Sequence, residues 1–169
     1  NHDVDLGATT WYGLSIYLPD SFNTSVKSKV AIWENVPDNE LEKDNPPPLS
    51  LYISEDKLQV DGYYQQQMIQ DKANVTPVGI SKTTPITKDK WIDIIFKINW
   101  DYTDNGSVDM IVNDEKHELY RGPIGYNDDD GPTFKLGLSS MEHANSGQIL
   151  YVDEYRRGSN FEEVNPKRN

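Results

Sequence analysis

The 169 residues contain no cysteine, which excludes disulfide scaffolds, thiolate metal sites and cysteine nucleophiles together. No apolar run approaches the roughly 20 residues of a membrane-spanning helix, and no signal-peptide pattern occurs. Positive charge is also scarce, since 16 Lys and Arg stand against 28 Asp and Glu, for a net charge of −12. Non-specific nucleic-acid binding needs Lys and Arg to neutralise phosphates. The composition therefore predicts a soluble protein that does not bind nucleic acid and does not insert into a membrane.

Several catalytic motifs are missing as well. The sequence has no Gly-x-Ser-x-Gly elbow, no Walker loop and no His-Glu-x-x-His. It also lacks a Glu-x-Asp-x-x-Glu strand or another close pair of carboxylates on one outward strand face. Retaining glycoside hydrolysis needs such a pair, so that reaction is disfavoured.

What the chain does have is aromatic and β-branched residues at a spacing of two. This alternation runs through residues 11–18 and 91–100, and Asp104-Asn105-Gly106 supplies a tight turn, so 91–113 is predicted to be a hairpin. Roughly nine or ten short strands without an amphipathic helix indicate an all-β fold, an antiparallel β-sandwich of jelly-roll (concanavalin-like) type. We expect one domain over residues 1–158 and a frayed C-terminal tail over 159–169.

The alternation also predicts which side chains leave the core. If the apolar set of each strand is buried, the other set faces outward. The outward set comprises Glu34, Trp91, Lys97, Asn99, Lys135 and Ser139, and Tyr63, Gln65 and Gln67 share one face of a further strand. Amides hydrogen-bond hydroxyls and aromatic rings stack on sugars, so this composition suits a glycan-binding groove. A solvated polar face without a ligand is the alternative that composition leaves open.

A family resemblance rests on short blocks that follow one another in order. They are Trp11-Tyr12-Gly13-Leu14-Ser15-Ile16-Tyr17-Leu18-Pro19, Ala31-Ile32-Trp33-Glu34, Pro47-Pro48-Leu49-Ser50-Leu51, Lys90-Trp91-Ile92-Asp93, Asn105-Gly106-Ser107-Val108, Phe134-Lys135-Leu136-Gly137-Leu138 and Tyr151-Val152-Asp153-Glu154. Together they resemble the polysaccharide lyases of the glucuronan-lyase type and, more distantly, the alginate-lyase and heparinase jelly rolls. The resemblance implies a jelly roll that binds a uronate-containing polysaccharide in a concave groove and cleaves it by β-elimination.

Such a reaction needs a group that neutralises the uronate carboxylate, a base for the C5 proton and an acid for the leaving O4. Lys97 and Lys135, predicted on one open face, are the candidates for holding the carboxylate, and Glu34 on that face works against them. His143, on a loop expected at the groove rim, is the candidate base or acid, with Tyr63 or Tyr64 as its partner. The alternatives are an exposed loop histidine and tyrosines that serve strand packing.

The sequence departs from the pattern of the broader family in three places. No Arg-x-Glu occurs in residues 1–10, the family's Gln-x-His aligns with Ile32-Trp33-Glu34, and two family tyrosines align with Thr133 and Ser139. A carbohydrate-binding module that has lost the chemistry is therefore the alternative function.

The resemblance also implies a structural Ca²⁺ on the convex side of the jelly roll. Asp153 matches the family's ligand position, and Asp3 or Asp5 would add carboxylates toward the six to eight oxygens that Ca²⁺ needs. The chemistry itself requires no cofactor. The expected partner is a polysaccharide or oligosaccharide, and we expect an extracellular monomer.

Overall fold

A computed structural model describes residues 4–37, 40–68, 74–140 and 147–166 of the chain. These residues form twelve strands, a short 3-10 helix at Glu40–Glu42 and one short α-helix. The elements are β1 (Thr9–Tyr17), β2 (Ser28–Glu34), β3 (Leu49–Ser54), β4 (Lys57–Gln65), β5 (Thr76–Val78), β6 (Thr84–Pro85), β7 (Trp91–Asn99), β8 (Ser107–Val112), β9 (Glu115–Arg121), β10 (Gly125–Tyr126), β11 (Thr133–Ser140), β12 (Tyr151–Gly158) and α1 (Phe161–Val164).

The strands form two sheets, as predicted for a jelly-roll sandwich. The five-stranded sheet has the order β12-β1-β7-β8-β9. The seven-stranded sheet has the order β10-β4-β3-β2-β11, with β5 and β6 also pairing with β4. All pairs are antiparallel except β10 with β4.

Alternating apolar side chains from both sheets fill the space between them. Trp33 of β2 is fully buried at the centre, with its ring 5.3 Å from Tyr12 of β1 and 5.0 Å from Phe96 of β7, measured between centroids. Phe134 of β11 also contacts Trp33, at 5.1 Å. Aromatic contacts thus join the two sheets directly, and each large ring removes much apolar surface from water.

The predicted hairpin over 91–113 is confirmed. β7 and β8 pair from Asn99 with Ser107 to Ile94 with Val112. The following turn holds Asn113 and Asp114 at φ of 47° and 69°, a left-handed conformation that Asn and Asp tolerate better than most residues. No helix in the described part of the chain has the length and apolar character that a membrane span requires.

The C-terminal segment is more ordered than we expected from the sequence. Asn160 caps α1 by accepting a hydrogen bond from the Glu163 amide, and the Glu163 carboxylate accepts one from the Ser159 amide. This pair is a variant of the capping box in which the Glu163 side chain bonds the amide that precedes the cap residue. Val164 is fully buried against Gly13 of β1, so residues 159–166 cover part of the outer face of the five-stranded sheet. The expectation of a frayed tail is wrong for these residues.

Candidate active site

Polar side chains gather on the outer face of the seven-stranded sheet, which we call the binding face. Leu49, Leu51 and Ile53 of β3 belong to the core, so Ser50 and Tyr52 between them point to the other side. The strand register extends this face across the sheet. One row is Lys135, Ile32, Ser50 and Asp61, and the next is Ser139, Lys29, Tyr52 and Gln59.

Tyr52 lies at the centre of the binding face and is only 8% exposed. The Lys27 ammonium lies 4.1 Å from the centre of its ring and the Lys29 ammonium 5.7 Å, so two cations face one phenol. Burial raises the pKa of the Tyr52 hydroxyl, and its hydrogen bond with Ser50 opposes that shift. The phenol therefore keeps its proton at neutral pH and is available as a proton donor.

The two lysines differ in their charge partners. The Lys27 ammonium forms an ion pair with Asp61, 2.8 Å from the carboxylate oxygen. Lys29 has no carboxylate partner among the residues that the structure describes. Its positive charge is thus available to an acidic ligand on this face.

Lys135, one of the predicted carboxylate-binding residues, does lie on the binding face. Its ammonium pairs with the Glu34 carboxylate of the neighbouring strand β2, so its charge is already compensated. Both side chains are substantially exposed, at 58% and 42%, and such a pair contributes little to stability. Glu34, which was predicted to reduce the positive charge of this face, thus does so by pairing directly with Lys135.

Two shallow cavities open on the binding face. One, of about 220 Å³, lies between β2 and β11 and includes Lys29, Lys135 and Ser139. The other, of about 340 Å³, is lined by Tyr63 together with Asp44, Pro46 and Val75. Between the two cavities, strand β3 presents Ser50 and Tyr52 on the binding face.

The predicted residues of β4 are distributed differently from the expectation. Tyr63 points outward, whereas Tyr64 packs against the core. Gln65 is buried, and β4 ends there, so Gln67 lies beyond the strand. Tyr64, Gln65 and Gln67 meet in a small polar cavity of about 210 Å³ at this end of the sheet.

The prediction that Lys97 and Lys135 share one open face is wrong. Lys97, Trp91 and Asn99 lie on β7, in the five-stranded sheet on the opposite side of the sandwich. The Lys97 ammonium lies 5.4 Å from the ring centre of Trp11, and the Asn99 amide donates to the Asn105 carbonyl at 2.8 Å. Trp91 contacts Tyr17. None of the three reaches the binding face, because the core separates the two sheets. The remaining candidate, His143, lies outside the described residues.

Asp5 and Asp153, two of the carboxylates predicted for Ca²⁺, do not come together. Asp153 lies on β12 opposite Ser15, whereas Asp5 lines a cavity with Arg157 and Gly158, and Gly158 pairs with Trp11. Four residues of an extended strand separate Trp11 from Ser15, about 13 Å. Asp3 lies outside the described residues. Within residues 4–37, 40–68, 74–140 and 147–166, no three His, Cys, Asp or Glu side chains form a group that could hold a metal. Asp5 and Asp153 therefore do not fit one shared calcium site.

Sequence reasoning missed Lys27, Lys29, Ser50 and Tyr52. The signal was present, because Lys29 precedes the apolar set of β2, and Ser50 and Tyr52 alternate with the leucines of β3. What the alternation does not contain is that β2 and β3 are neighbours, which brings Lys29 beside Tyr52.

The two antiparallel sheets and the binding face give the fold class, a β-sandwich of jelly-roll type with a polar outer face on the seven-stranded sheet. Residues 1–156 match the family model described as polysaccharide lyase, and the chain belongs to that family. The resemblance drawn from the sequence is confirmed.

Solved structures with the same fold include several lyases. The endo-β-1,4-glucuronan lyase from the fungus Trichoderma reesei aligns with a TM-score of 0.80 and 18% identity, over 100% of this chain and 76% of that chain. A family 7 alginate lyase in complex with product aligns with a TM-score of 0.57 and 14% identity, over 93% and 66%. The alginate lyase from Chlorella virus aligns at 0.52 and 11%, over 91% and 72%. Comparison with curated protein sequences yields no match.

Proposed function

We propose that this protein cleaves a glucuronate-containing polysaccharide by β-elimination on the binding face. The observation that carries the proposal is the Lys29 ammonium beside the Tyr52 phenol, without a carboxylate partner among the described residues. Membership of the polysaccharide lyase family supports the reaction, and the similarity to a glucuronan lyase supports the uronate. A polymeric substrate of this kind also supports an extracellular location.

In the proposed reaction, Lys29 pairs with the uronate carboxylate and stabilises the negative charge that develops when the C5 proton leaves. The C5 electron pair forms the C4–C5 double bond, the bond from C4 to O4 breaks, and O4 takes a proton. Tyr52 supplies that proton, because its hydroxyl, like that of an ordinary tyrosine, is protonated at neutral pH and its strand position places it on the binding face. His143 remains our prediction for the base at C5, with Tyr63 on the binding face as its partner.

The test is to incubate the protein with glucuronan and alginate and follow the ultraviolet absorbance of the unsaturated product. Tyr52→Phe removes only the hydroxyl, and we expect kcat to fall by about 10²- to 10⁴-fold, the usual contribution of a general acid. We expect Lys29→Met to lower kcat by about 10²-fold, as for other electrostatic groups.

Matched controls exist on the opposite sheet. Lys97 also lies over an aromatic ring, at 5.4 Å compared with 5.7 Å for Lys29, so Lys97→Met should keep full activity. Tyr151→Phe removes an exposed hydroxyl from that sheet and should likewise be neutral. The proposal fails if glucuronan yields no unsaturated product, whether or not alginate does, or if the control variants lose as much activity as the variants of the binding face.

A further inference from the structure

Three aromatic side chains form a row on the outer face of the five-stranded sheet, opposite the binding face. Tyr17 of β1 pairs directly with Trp91 of β7 on one side and with Tyr151 of β12 on the other. The ring centres are 5.6 Å and 6.0 Å apart. We call these three residues the aromatic row. Its length across three strands lets it contact more than one pyranose ring.

The outer members of the aromatic row are open to solvent. Trp91 is 37% exposed and Tyr151 is 52% exposed. α1 covers the same sheet face further along β1, where Phe161 contacts Trp11 and Val164 contacts Gly13. α1 therefore does not extend over the aromatic row, whose large rings form an exposed apolar patch on the protein surface.

The groups around the aromatic row are mainly acidic. Asp93 and Asp153 flank Ser15 in a neighbouring row of the sheet. The Asp89 carboxylate accepts a hydrogen bond from the Tyr17 hydroxyl at 3.2 Å and another from the Asp20 amide. Burial and then the charge of Asp89 raise the pKa of that hydroxyl.

Two basic residues, Lys88 and Lys90, lie close to these carboxylates in the sequence. The Lys88 ammonium donates a hydrogen bond to the Asp20 carbonyl. Among these named groups, four carboxylates (Asp20, Asp89, Asp93 and Asp153) outnumber the two lysines. A polyuronate would be repelled from this site, whereas a neutral sugar offers hydroxyls to the carboxylates and apolar ring faces to the aromatic side chains.

We propose that the aromatic row is a second glycan-binding site, separate from the active site, and that it takes a neutral polysaccharide. It holds the protein on an uncharged polymer while the opposite face remains open. This inference rests on Trp91, Tyr17 and Tyr151 and not on the lyase mechanism.

The test is affinity electrophoresis in gels that contain mixed-linkage β-glucan, xylan or glucomannan, with a glucuronan gel for comparison. The intact protein should be retarded by at least one neutral polymer. Trp91→Ala and Tyr151→Ala should each weaken that retardation about tenfold or more, as truncation of an aromatic anchor usually does. Trp91→Phe and Tyr151→Phe keep a ring and should retain most of the binding.

Leu41→Ala is the matched control, because Leu41 is an apolar side chain that is 55% exposed away from the row. Unfolding temperatures of all variants show whether they are folded. The inference is overturned if no neutral polymer retards the protein, or if the folded alanine variants are retarded as strongly as the intact protein. It is also overturned if the alanine substitutions reduce retardation by glucuronan as much as retardation by the neutral polymer. Lyase activity is measured separately, so its loss or presence does not affect this outcome.

Discussion

Glu34 determines how much positive charge the binding face offers. Its carboxylate neutralises Lys135, which lines the same cavity as Lys29. We expect Glu34→Gln to free Lys135 for the uronate and to lower KM for glucuronan by about two- to fivefold, the range of an exposed ion pair. Steady-state kinetics measure this change.

Glu40→Gln is the control for that substitution. Glu40 also pairs with an exposed lysine, Lys43, but in the 3-10 helix and not on the binding face. Its KM should equal that of the unsubstituted protein. An unchanged or raised KM in Glu34→Gln would show that Lys135 does not contact the substrate.

Tyr12 makes the free energy of unfolding depend on pH in the alkaline range. Burial raises the pKa of its hydroxyl far above the ordinary value of about 10. Between about pH 10 and the folded-state pKa, the unfolded chain loses this proton and the folded chain keeps it, so the free energy of unfolding falls as pH rises. Below about pH 10 both states are protonated and the contribution is constant.

We expect Tyr12→Phe to reduce that alkaline loss of stability. Urea unfolding at about pH 8 and about pH 11 measures it, since these values lie on either side of the ordinary tyrosine pKa. Tyr151→Phe serves as the control, because Tyr151 is 52% exposed. Equal pH dependence in both variants would contradict the expectation.

At the residue scale, the sequence predicted which way side chains point better than where they meet. Lys97 and Lys135 are both on outward sides, as their alternation indicated. Alternation distinguishes the core side of a strand from its outer side, but a sandwich has two outer faces, one on each sheet. Which sheet a strand joins depends on long-range pairing, which the pattern within one strand does not contain.

At the element scale, Gly13 is the point where the C-terminal helix rests on β1. A Cβ at Gly13 would lie 1.8 Å from the Val164 carbonyl oxygen, too close for α1 to stay in place. We expect Gly13→Ala to destabilise the protein by about 1–3 kcal/mol, as overpacking usually does. It should also increase hydrogen exchange in residues 161–165. Urea unfolding and exchange measurements follow both effects.

Gly137→Ala is the matched control for that prediction, since Gly137 also lies in a strand and a Cβ added there would meet no atom within 4 Å. Its unfolding free energy should change little. If Gly13→Ala were equally neutral, the docking of α1 on β1 would not contribute to stability.

The elements were predictable where the alternation is long. β1, β7 and β8 each bury one side and were anticipated from the sequence. α1 has a single turn, too short for a helical period, so the residues around Phe161 and Val164 show no such pattern. Its stability comes from the capping box and from contact with β1, and the second of these requires the tertiary structure.

At the scale of the whole molecule, the net charge of −12 opposes the approach of a polyanion. Salt screens that long-range repulsion, because the Debye length is about 30 Å at 0.01 M and about 8 Å at 0.15 M. The close contact with Lys29 is screened less. We therefore expect KM for glucuronan to fall between these two salt concentrations, and steady-state kinetics at each provide the measurement.

The retardation by neutral polymers should be nearly independent of salt over the same range, which serves as the internal comparison. A KM for glucuronan that rises with salt would mean that local cations of the binding face outweigh the net charge during association.

The binding face and the aromatic row point in opposite directions, with one core between them. A polymer held on one side therefore leaves the other side accessible, and the two polymers are kept apart by more than the roughly 10 Å between the sheets. In a material that contains both a neutral polysaccharide and a polyuronate, attachment to the neutral polymer would expose the binding face to a high effective concentration of nearby uronate chains. A thin, rigid sandwich would thus perform the function of a tethered enzyme without a linker.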